Sequence, residues 1–316
     1  MLGLCFLVNA KEVIDMPIQA SYLLLAKEEF HQRITTAKEH LTNCTLCPRE
    51  CRVDRTRTKG YCQAGAKLKV SSFGPHFGEE RELVGSRGSG TIFFAHCSLR
   101  CVFCQNHRIS VEGEGDLCTS EQLAAMMLLL QDHYHCANIN LVTPTHYVPQ
   151  IVEAIYIASQ RGLLLPIVYN CGGYESVNTL ELLEGIVDIY MPDLKYVSGK
   201  MSQDYSQVQD YFAKASNAIK EMDRQVGPLK LDDQGLACKG LLIRHLVLPG
   251  GLNDTKRVLD FIKAELSPGV LVNLMDQYFP CHKAFRFPEL NRRVSRSEFL
   301  EALRHAQELE LRLAAR

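Results

Sequence analysis

The strongest constraint on the fold of this 316-residue chain is a repeat of short apolar segments that begins at residue 91. Each segment has the length of a buried strand, and stretches with helical spacing separate them. The predicted strands are 91–95, 138–142, 166–170, 186–191, 241–248 and 270–275. The predicted helices are 21–42, 119–134, 147–161, 176–184, 203–224, 254–265 and 296–313, with Asp254 as the N-cap of the sixth and capping boxes at Thr119/Gln122 and Ser295/Glu298. Helical crossovers join parallel strands, so the pattern predicts an α/β fold with a parallel sheet.

An open doubly wound sheet and a curved partial barrel both satisfy this repeat. Polar or glycine-rich residues follow nearly every predicted strand, in the segments 97–106, 143–146, 170–175, 192–195, 249–254 and 276–278. In barrel enzymes the active site is built from all of these loops at one face. In a doubly wound sheet only the loops at the switch point share a site. The distribution of polar loops therefore favours the partial barrel.

Three cysteines follow the first predicted strand at the spacing C-x3-C-x2-C: Cys97, Cys101 and Cys104. A cubane iron–sulfur cluster normally takes four thiolates, so three would leave one iron without a protein ligand. An open coordination position is typical of a reactive metal site. Phe103 stands between the last two cysteines and is expected to cover the cluster and keep it dry. A closed zinc site is less favoured here, although His96 and His107 flank the cysteines.

A second group of cysteines precedes the strand repeat at the spacing C-x2-C-x3-C-x10-C: Cys44, Cys47, Cys51 and Cys62. Four thiolates are enough to close a metal site. A structural zinc ion and a second [4Fe–4S] cluster are both compatible with this spacing. A second cluster would pass electrons to the first, whereas zinc would only help this module to fold.

The composition restricts the environment and the partners. The chain has 13 cysteines, an odd number, and seven of them form one trio and one quartet, which argues against a disulfide framework and for reduced thiols in the cytoplasm. The net charge of −1 favours neither nucleic acid nor an anionic membrane as a partner. No apolar run reaches the length of about 18 residues that a membrane span requires.

Three regions are predicted from this organisation. Residues 1–20 are expected to be a loose extension in which Met16 is an alternative start, residues 21–85 a helix followed by the cysteine-rich module, and residues 86–316 the partial barrel.

The motifs resemble those of the radical S-adenosylmethionine (SAM) superfamily, whose signature is C-x3-C-x-aromatic-C. Cys104-Gln-Asn106 looks like the Cys-His-Asn of pyruvate formate-lyase activating enzymes, and Asp193-Leu-Lys195 looks like their Asp-Leu-Lys. The segment 244–250 is similar to their Arg-Tyr-Val-Val-Val-Pro-Gly. From about Cys44 to the C-terminus the chain is similar to the PflX-type branch of that superfamily.

The resemblance implies a (β/α)6 partial barrel, a [4Fe–4S] cluster on the trio, and SAM bound at the open iron. One electron, supplied by a reductant such as flavodoxin or ferredoxin, would cleave SAM to methionine and a 5′-deoxyadenosyl radical. That radical would abstract hydrogen from a substrate, which the resemblance leaves unassigned. A backbone glycine of a glycyl-radical enzyme, and hence a protein substrate, is one expectation; another macromolecule or a small metabolite is the rival.

The resemblance also implies the residues that hold SAM. Asp193, Lys195 and Arg244 match the motifs, and Asn170 ends the third strand. The superfamily's Gly-Gly-Glu at the second strand, which holds the methionine amino group of SAM, is replaced here by 143–146, so Thr143, Thr145 or backbone carbonyls are expected to take its role. Arg244 either pairs with a carboxylate such as Asp193 or faces an anionic ligand. The alternative to catalysis is a metal-stabilised binding protein or electron carrier.

Overall fold

The computed structural model describes residues 19–315. Ten strands form the sheet: β1 Leu68–His76, β2 Ser89–Phe94, β3 Asp116–Cys118, β4 Ile139–Val142, β5 Ile167–Cys171, β6 Ile189–Pro192, β7 Lys230–Leu231, β8 Ala237–Leu246, β9 Leu271–Met275 and β10 Arg312–Leu313. Each of the six predicted strands is present. Short 3-10 helices lie at Ser21–Leu23, Thr145–Tyr147, Ala284–Arg286 and Pro288–Leu290.

The helices α1 to α10 are Lys27–Glu39, Arg81–Val84, His107–Ser110, Ser120–Asp132, Val148–Ser159, Val177–Glu181, Gly199–Ser206, Tyr211–Val226, Leu252–Glu265 and Arg296–Glu308. Both capping boxes, Thr119 with Gln122 and Ser295 with Glu298, are formed. Within residues 19–315 no helix is both long and apolar enough to cross a membrane.

The sheet has the order β10-β9-β8-β6-β5-β4-β2-β1-β3, with β7 paired to β8. The strands from β2 to β10 along this path are parallel, whereas β1 is antiparallel to both β2 and β3. The end strands β3 and β10 do not pair with each other, so the described sheet is not a closed barrel. The predicted partial (β/α)6 barrel is confirmed, and β1 and β3 extend it on one side.

The connection between β1 and β2 turns into the interior of the barrel. Leu83 of α2 is fully buried in a core cluster with Val168, Ile189 and Leu242, which belong to three different strands. Just before α2, the carboxylate of Glu80 accepts hydrogen bonds from strands at the other end of the sheet. These come from Arg244 of β8 and Asn273 of β9, each at 2.7 Å. The connection therefore links the two ends of the open sheet through side chains.

Two sequence predictions about the helices were wrong. The segment 203–224 forms two helices, α7 and α8, because Gln207 adopts a left-handed conformation with φ 57° and ends α7. Asp254 is not the N-cap of α9, since Gly251 holds that position. The Asp254 carboxylate instead accepts hydrogen bonds from the backbone N–H groups of Val197 and Ser198, at 2.7 and 2.8 Å. It thus fixes the loop that follows β6.

The domain boundaries stay a prediction. Of the predicted extension 1–20 only the last two residues lie in the described region, and Ala20 is buried there. Ser21 donates its backbone N–H to Asp188 at 2.7 Å, and the Tyr22 hydroxyl donates to the Leu165 carbonyl at 3.0 Å. Both acceptors precede a strand of the barrel, so this segment contacts the face opposite the carboxyl ends of the strands.

Candidate functional site

A cavity of about 680 Å³ opens at the carboxyl ends of the parallel strands. Its volume lies within the range of small-molecule and cofactor sites. Every parallel strand from β2 to β9 contributes to its wall, through Cys97, Thr143, Asn170, Cys171, Asp193, Lys195, Arg244, Asn273 and Asp276. Five of the six polar loops that the sequence predicts therefore line one space. The loop 249–254 does not reach it, and β8 contributes Arg244 and Leu246 from the strand itself.

The trio lies on one wall of this cavity, where Cys97, Cys101 and Cys104 all contribute to the lining. The loop turns sharply at Arg100, which has a positive φ of 54°. The Leu99 N–H lies 3.4 Å from Cys97 Sγ, and the Ser206 and Ser110 hydroxyls lie 3.0 and 3.1 Å from Cys101 Sγ and Cys104 Sγ. Each sulfur therefore has a hydrogen-bond partner besides its exposure to the cavity.

The ionisation of Cys97 and Cys104 is suppressed in the protein alone. Burial raises the pKa of Cys97 to about 12 and that of Cys104 to about 11, and the neighbouring Cys101 adds to both rises. Among residues 19–315 no three Cys, His, Asp or Glu side chains stand in a ready-made arrangement for a metal ion. A cation bound here would supply the charge that makes thiolates favourable. Three adjacent sulfurs on a cavity wall fit a group held through three thiolates.

Phe103 lies on the other side of this loop. Its ring is buried against Tyr196, Tyr205 and Tyr278, with centroid distances of 6.4, 6.3 and 6.0 Å. It does not line the cavity. Phe103 therefore anchors the cysteine loop to a group of aromatic rings. It does not lie on the cavity side of the loop, where the sequence predicts that it covers an iron–sulfur cluster.

His96 and His107 contribute nothing to the cavity wall. His107 stacks on His282 with a centroid distance of 4.8 Å. The structure therefore does not bring either flanking histidine to the trio's open side.

Asp193 and Lys195 both line the cavity and form an ion pair at 2.5 Å. Burial alone lowers the pKa of the Lys195 ammonium, but the Asp193 carboxylate outweighs this effect and raises the pKa above its usual value. The Tyr211 hydroxyl fixes the backbone beside the pair by accepting from the Lys195 N–H and donating to the Asp193 carbonyl, at 3.0 and 2.9 Å. A cation and a carboxylate are thus held rigidly opposite the cysteine loop.

Thr143 and Asn170 line the cavity as the sequence predicts. The Thr143 backbone donates to the Asn170 carbonyl at 2.8 Å and has φ 59°, a rare conformation for a β-branched residue. The residue after β4 is therefore held in a strained conformation at the cavity edge.

Thr145 does not reach the cavity, so the expected contact with SAM has no support from its position. Its hydroxyl is buried and donates to Glu175 Oε1 at 2.7 Å, while the Tyr169 hydroxyl donates to Glu175 Oε2 at 3.0 Å. Burial raises the pKa of Glu175 to about 7, although the hydrogen bonds from Thr145, Tyr169 and Cys171 oppose the rise. The sequence places Glu175 in a polar loop, but its burial behind β5 follows from packing alone.

Arg244 pairs with Glu79 and Glu80. The sequence predicts a carboxylate partner for Arg244, and Arg244 does pair with carboxylates. They belong to Glu79 and Glu80 of the β1–β2 connection and not to Asp193. Burial alone would raise the pKa of Glu80, yet the charge and hydrogen bonds of Arg244 outweigh it and lower the pKa. Sequence reasoning missed both glutamates because they lie 165 and 164 residues from their partner and belong to no recognisable motif.

The quartet forms a second cluster of thiols, none of which lines this cavity. Cys44, Cys47 and Cys62 are buried, and Cys51 is half-buried. Burial raises the pKa of Cys44, and the neighbouring Cys51 and Cys62 add to the rise. The fold therefore brings these thiols close enough to influence one another although Cys44 and Cys62 are 18 positions apart in the sequence, but, as at the trio, their side chains do not stand in a ready-made arrangement for a metal ion.

Comparison with known proteins gives one relative of high coverage. None of the family models compared with this sequence matches it. The Uncharacterized protein MJ0674 of Methanocaldococcus jannaschii is 32% identical over 291 residues, which cover 89% of this chain and 79% of the relative. This chain belongs to the family of that protein. The relative's name assigns no activity.

Two solved structures are more distant. A domain of pyruvate-formate lyase-activating enzyme from Bacteroides vulgatus is 12% identical with a TM-score of 0.40, over 53% of this chain and 90% of that domain. Methylornithine synthase (PylB) is 14% identical with a TM-score of 0.45, over 93% of this chain and 73% of the synthase.

Proposed function

We propose that this protein is a radical SAM enzyme. The observation that carries the proposal is the position of Cys97, Cys101 and Cys104, which lie after the first parallel strand and on the wall of a cavity of about 680 Å³. A [4Fe–4S] cluster held by three thiolates, with SAM at the fourth iron, would supply one-electron cleavage of the sulfonium to a 5′-deoxyadenosyl radical. The cavity is large enough for a cofactor of that size.

The chain's own residues would bind and orient SAM. The Lys195 ammonium suits a carboxylate, and the Asp193 carboxylate suits an amine or a ribose hydroxyl. Thr143 and Asn170 add a hydroxyl and an amide at the neighbouring strand ends. Arg244 is already neutralised by Glu79 and Glu80, so we assign it to shaping the cavity rather than to binding an anion.

The direct test is SAM cleavage by anaerobically reconstituted protein with a low-potential reductant. We expect 5′-deoxyadenosine and methionine from the wild-type protein and none from Cys101→Ala. Cys238→Ala is the matched control, because Cys238 hydrogen-bonds to Lys230 away from the cavity and its loss should leave cleavage unchanged. Equal cleavage by Cys101→Ala, or no cleavage by protein that retains its iron, would refute the proposal.

The finer function that we propose is activation of a glycyl-radical enzyme, with flavodoxin or ferredoxin as the electron donor. Its support is the resemblance of Asp193-Leu-Lys195 and of the segment 244–250 to the activating enzymes. Mixing the reduced, SAM-loaded protein with candidate glycyl-radical enzymes should produce a glycyl signal in electron paramagnetic resonance. SAM cleavage without this signal for any partner would point to a different hydrogen donor.

A binding protein or electron carrier without catalysis is the alternative. It requires no affinity for SAM, whereas the radical SAM function requires SAM to bind once the cluster is present. Calorimetry with SAM on the reconstituted protein separates the two.

A further inference from the structure

The four thiols of the quartet lie in a tightly turned segment. Cys44 and its neighbours form a small hairpin, in which the Cys44 N–H donates to the Val53 carbonyl at 3.1 Å and the Arg52 N–H donates to the Cys44 carbonyl at 2.9 Å. Arg52 turns with a positive φ of 54°. A Cβ placed on Gly60 would lie 2.8 Å from Cys51 Sγ, so only glycine lets this backbone approach the sulfur so closely.

Three of these sulfurs accept a backbone hydrogen bond from the residue two positions later. Leu46 donates to Cys44, Arg49 to Cys47 and Ala64 to Cys62. Cys97 of the trio has the same relation to Leu99. Backbone N–H groups directed at sulfur stabilise thiolate charge and are among the factors that tune metal–thiolate centres.

A buried arginine without a carboxylate lies beside the quartet. The Arg55 side chain is 2% exposed and donates to the carbonyl oxygens of His146 and Gly65, at 2.5 and 2.7 Å. Its Nε has no hydrogen-bond partner among the described residues. Its positive charge favours the thiolate forms of Cys44 and Cys62, against the effect of burial. A buried cation is costly unless an anion compensates it. Within residues 19–315, the hydrogen-bond acceptors of the Arg55 side chain are neutral carbonyls.

We propose that Cys44, Cys47, Cys51 and Cys62 hold a second metal centre as four thiolates, with Arg55 as its buried counter-charge. Zn²⁺ and a [4Fe–4S]²⁺ cluster share the chemistry that the site requires. Each is bound by four thiolates and each then carries net negative charge. Four protein ligands leave no position for a substrate, so this centre is closed where the trio is open.

The Arg49 side chain ties this centre to the trio. The backbone N–H of Arg49 donates to the Cys47 thiol, whereas its side-chain Nε donates to the Ser98 carbonyl at 2.6 Å and its Nη2 to the Ser206 carbonyl at 3.1 Å. Ser98 follows Cys97, and the Ser206 hydroxyl contacts Cys101 Sγ. A metal that orders the quartet therefore also fixes the loop that carries the trio.

The test uses full-length protein in which Cys97, Cys101 and Cys104 are all replaced by serine, so that any bound metal belongs to the quartet. Purified anaerobically, it should contain about one zinc, or about four irons with matching acid-labile sulfide, per chain. Adding Cys47→Ser should remove that metal. Adding Cys238→Ser, the matched control, should not.

A second measurement covers the possibility that the Cys47→Ser protein does not fold. Metal-free protein with the trio replaced should bind about one Co²⁺ and show the visible and thiolate-to-metal charge-transfer bands of a tetrahedral four-thiolate site. A folded protein that contains no zinc or iron and binds Co²⁺ without those bands would overturn the inference. Because the trio is absent, this result is independent of whether the wild-type protein cleaves SAM.

Discussion

The trio and the quartet are made of the same chemical group in two contrasting environments. The trio's three sulfurs lie on the wall of a large cavity, whereas the quartet's four lie in a tight turn of the chain beside a buried arginine. At the trio, the nearby cation Lys195 is already paired with Asp193. At the quartet, Arg55 has carbonyl partners and a free Nε. The comparison teaches that the number of thiolates and the access to them separate a reactive centre from a closed one.

Removal of the quartet's counter-charge gives the largest expected effect. Arg55→Leu should lower the free energy of unfolding of the metal-loaded protein by about 3–5 kcal/mol, because it leaves buried anionic charge uncompensated. The metal-free protein should lose much less. Denaturant unfolding of both forms measures this difference, with the exposed Arg52→Leu as the control. An equal loss in both forms would mean that Arg55 serves packing and not the metal.

Glu175 is buried and bonded to Thr145 and Tyr169, and its titration should appear in the pH dependence of stability. Burial raises its pKa from 4.5 to about 7, so the folded protein holds this proton more tightly than the unfolded chain does. The protonated Glu175 contributes fully to the free energy of unfolding below pH 4.5, and this contribution is lost as the pH rises through about 7. The contribution amounts to about 3 kcal/mol.

Glu175→Gln should remove this pH-dependent contribution while keeping one acceptor oxygen, so that either the Thr145 or the Tyr169 hydroxyl must turn to accept from the amide N–H. The variant should therefore gain stability relative to the wild-type protein as the pH rises from about 5 to about 8. The exposed Glu181→Gln serves as the control. Parallel curves for the wild-type and Glu175→Gln proteins would show that Glu175 does not titrate in this range.

Lys195, the cation near the trio, should affect ligand binding more than it affects the free energy of unfolding. Lys195→Met should weaken SAM binding to the reconstituted protein by about 10- to 100-fold, the value of a hydrogen bond to a charged group. Calorimetry measures this change. Lys200→Met is the control, because the Lys200 side chain is exposed and pairs with Asp204 at 2.5 Å. Unchanged affinity of Lys195→Met for SAM would mean that another residue binds the SAM carboxylate.

The smallest expected effect concerns the link between the two centres. Arg49→Gln removes the donors to Ser98 and Ser206 and should cost about 1–2 kcal/mol in unfolding free energy. Hydrogen exchange should show faster opening of the Cys97 loop. Arg108→Gln, which breaks an exposed pair with Glu114, should change neither quantity. No change in exchange at the loop would mean that the two centres are independent.

The sequence was informative wherever a local pattern decides the structure. Strand length and apolarity predicted six of the seven parallel strands, but the seventh, β10, lies at the end of the segment 296–313 that was predicted as a helix. The residue spacing predicted both capping boxes. The position of the trio after the first parallel strand followed from the strand prediction. Thr143 at the cavity edge was also predicted, whereas Thr145, two residues later, turns into the protein. A 3-10 turn at Thr145–Tyr147 causes this difference, and no residue pattern marks it.

Long-range side-chain contacts were beyond the sequence. The ion pairs of Arg244, the contact of Arg55 with the His146 carbonyl and the contacts of Arg49 all join residues that are far apart along the chain, so no spacing rule connects them. The break at Gln207 was missed for a related reason. Helical spacing continues through it, and only the left-handed backbone of that residue reveals two helices.

The β1–β2 connection gives the open sheet a mechanical property. Side-chain contacts link the two ends of the curved sheet. Arg244 contacts the carboxylates of Glu79 and Glu80, and Asn273 contacts that of Glu80; we call this set of contacts the joint. Contacts between side chains open at lower free energy than a ladder of backbone hydrogen bonds in a buried sheet. A bulky substrate that enters the cavity would therefore separate the two ends of the sheet at this joint, while the parallel strands keep their register. Because the charged groups of this joint are largely buried, added salt should weaken it much less than it weakens the exposed ion pairs of the surface.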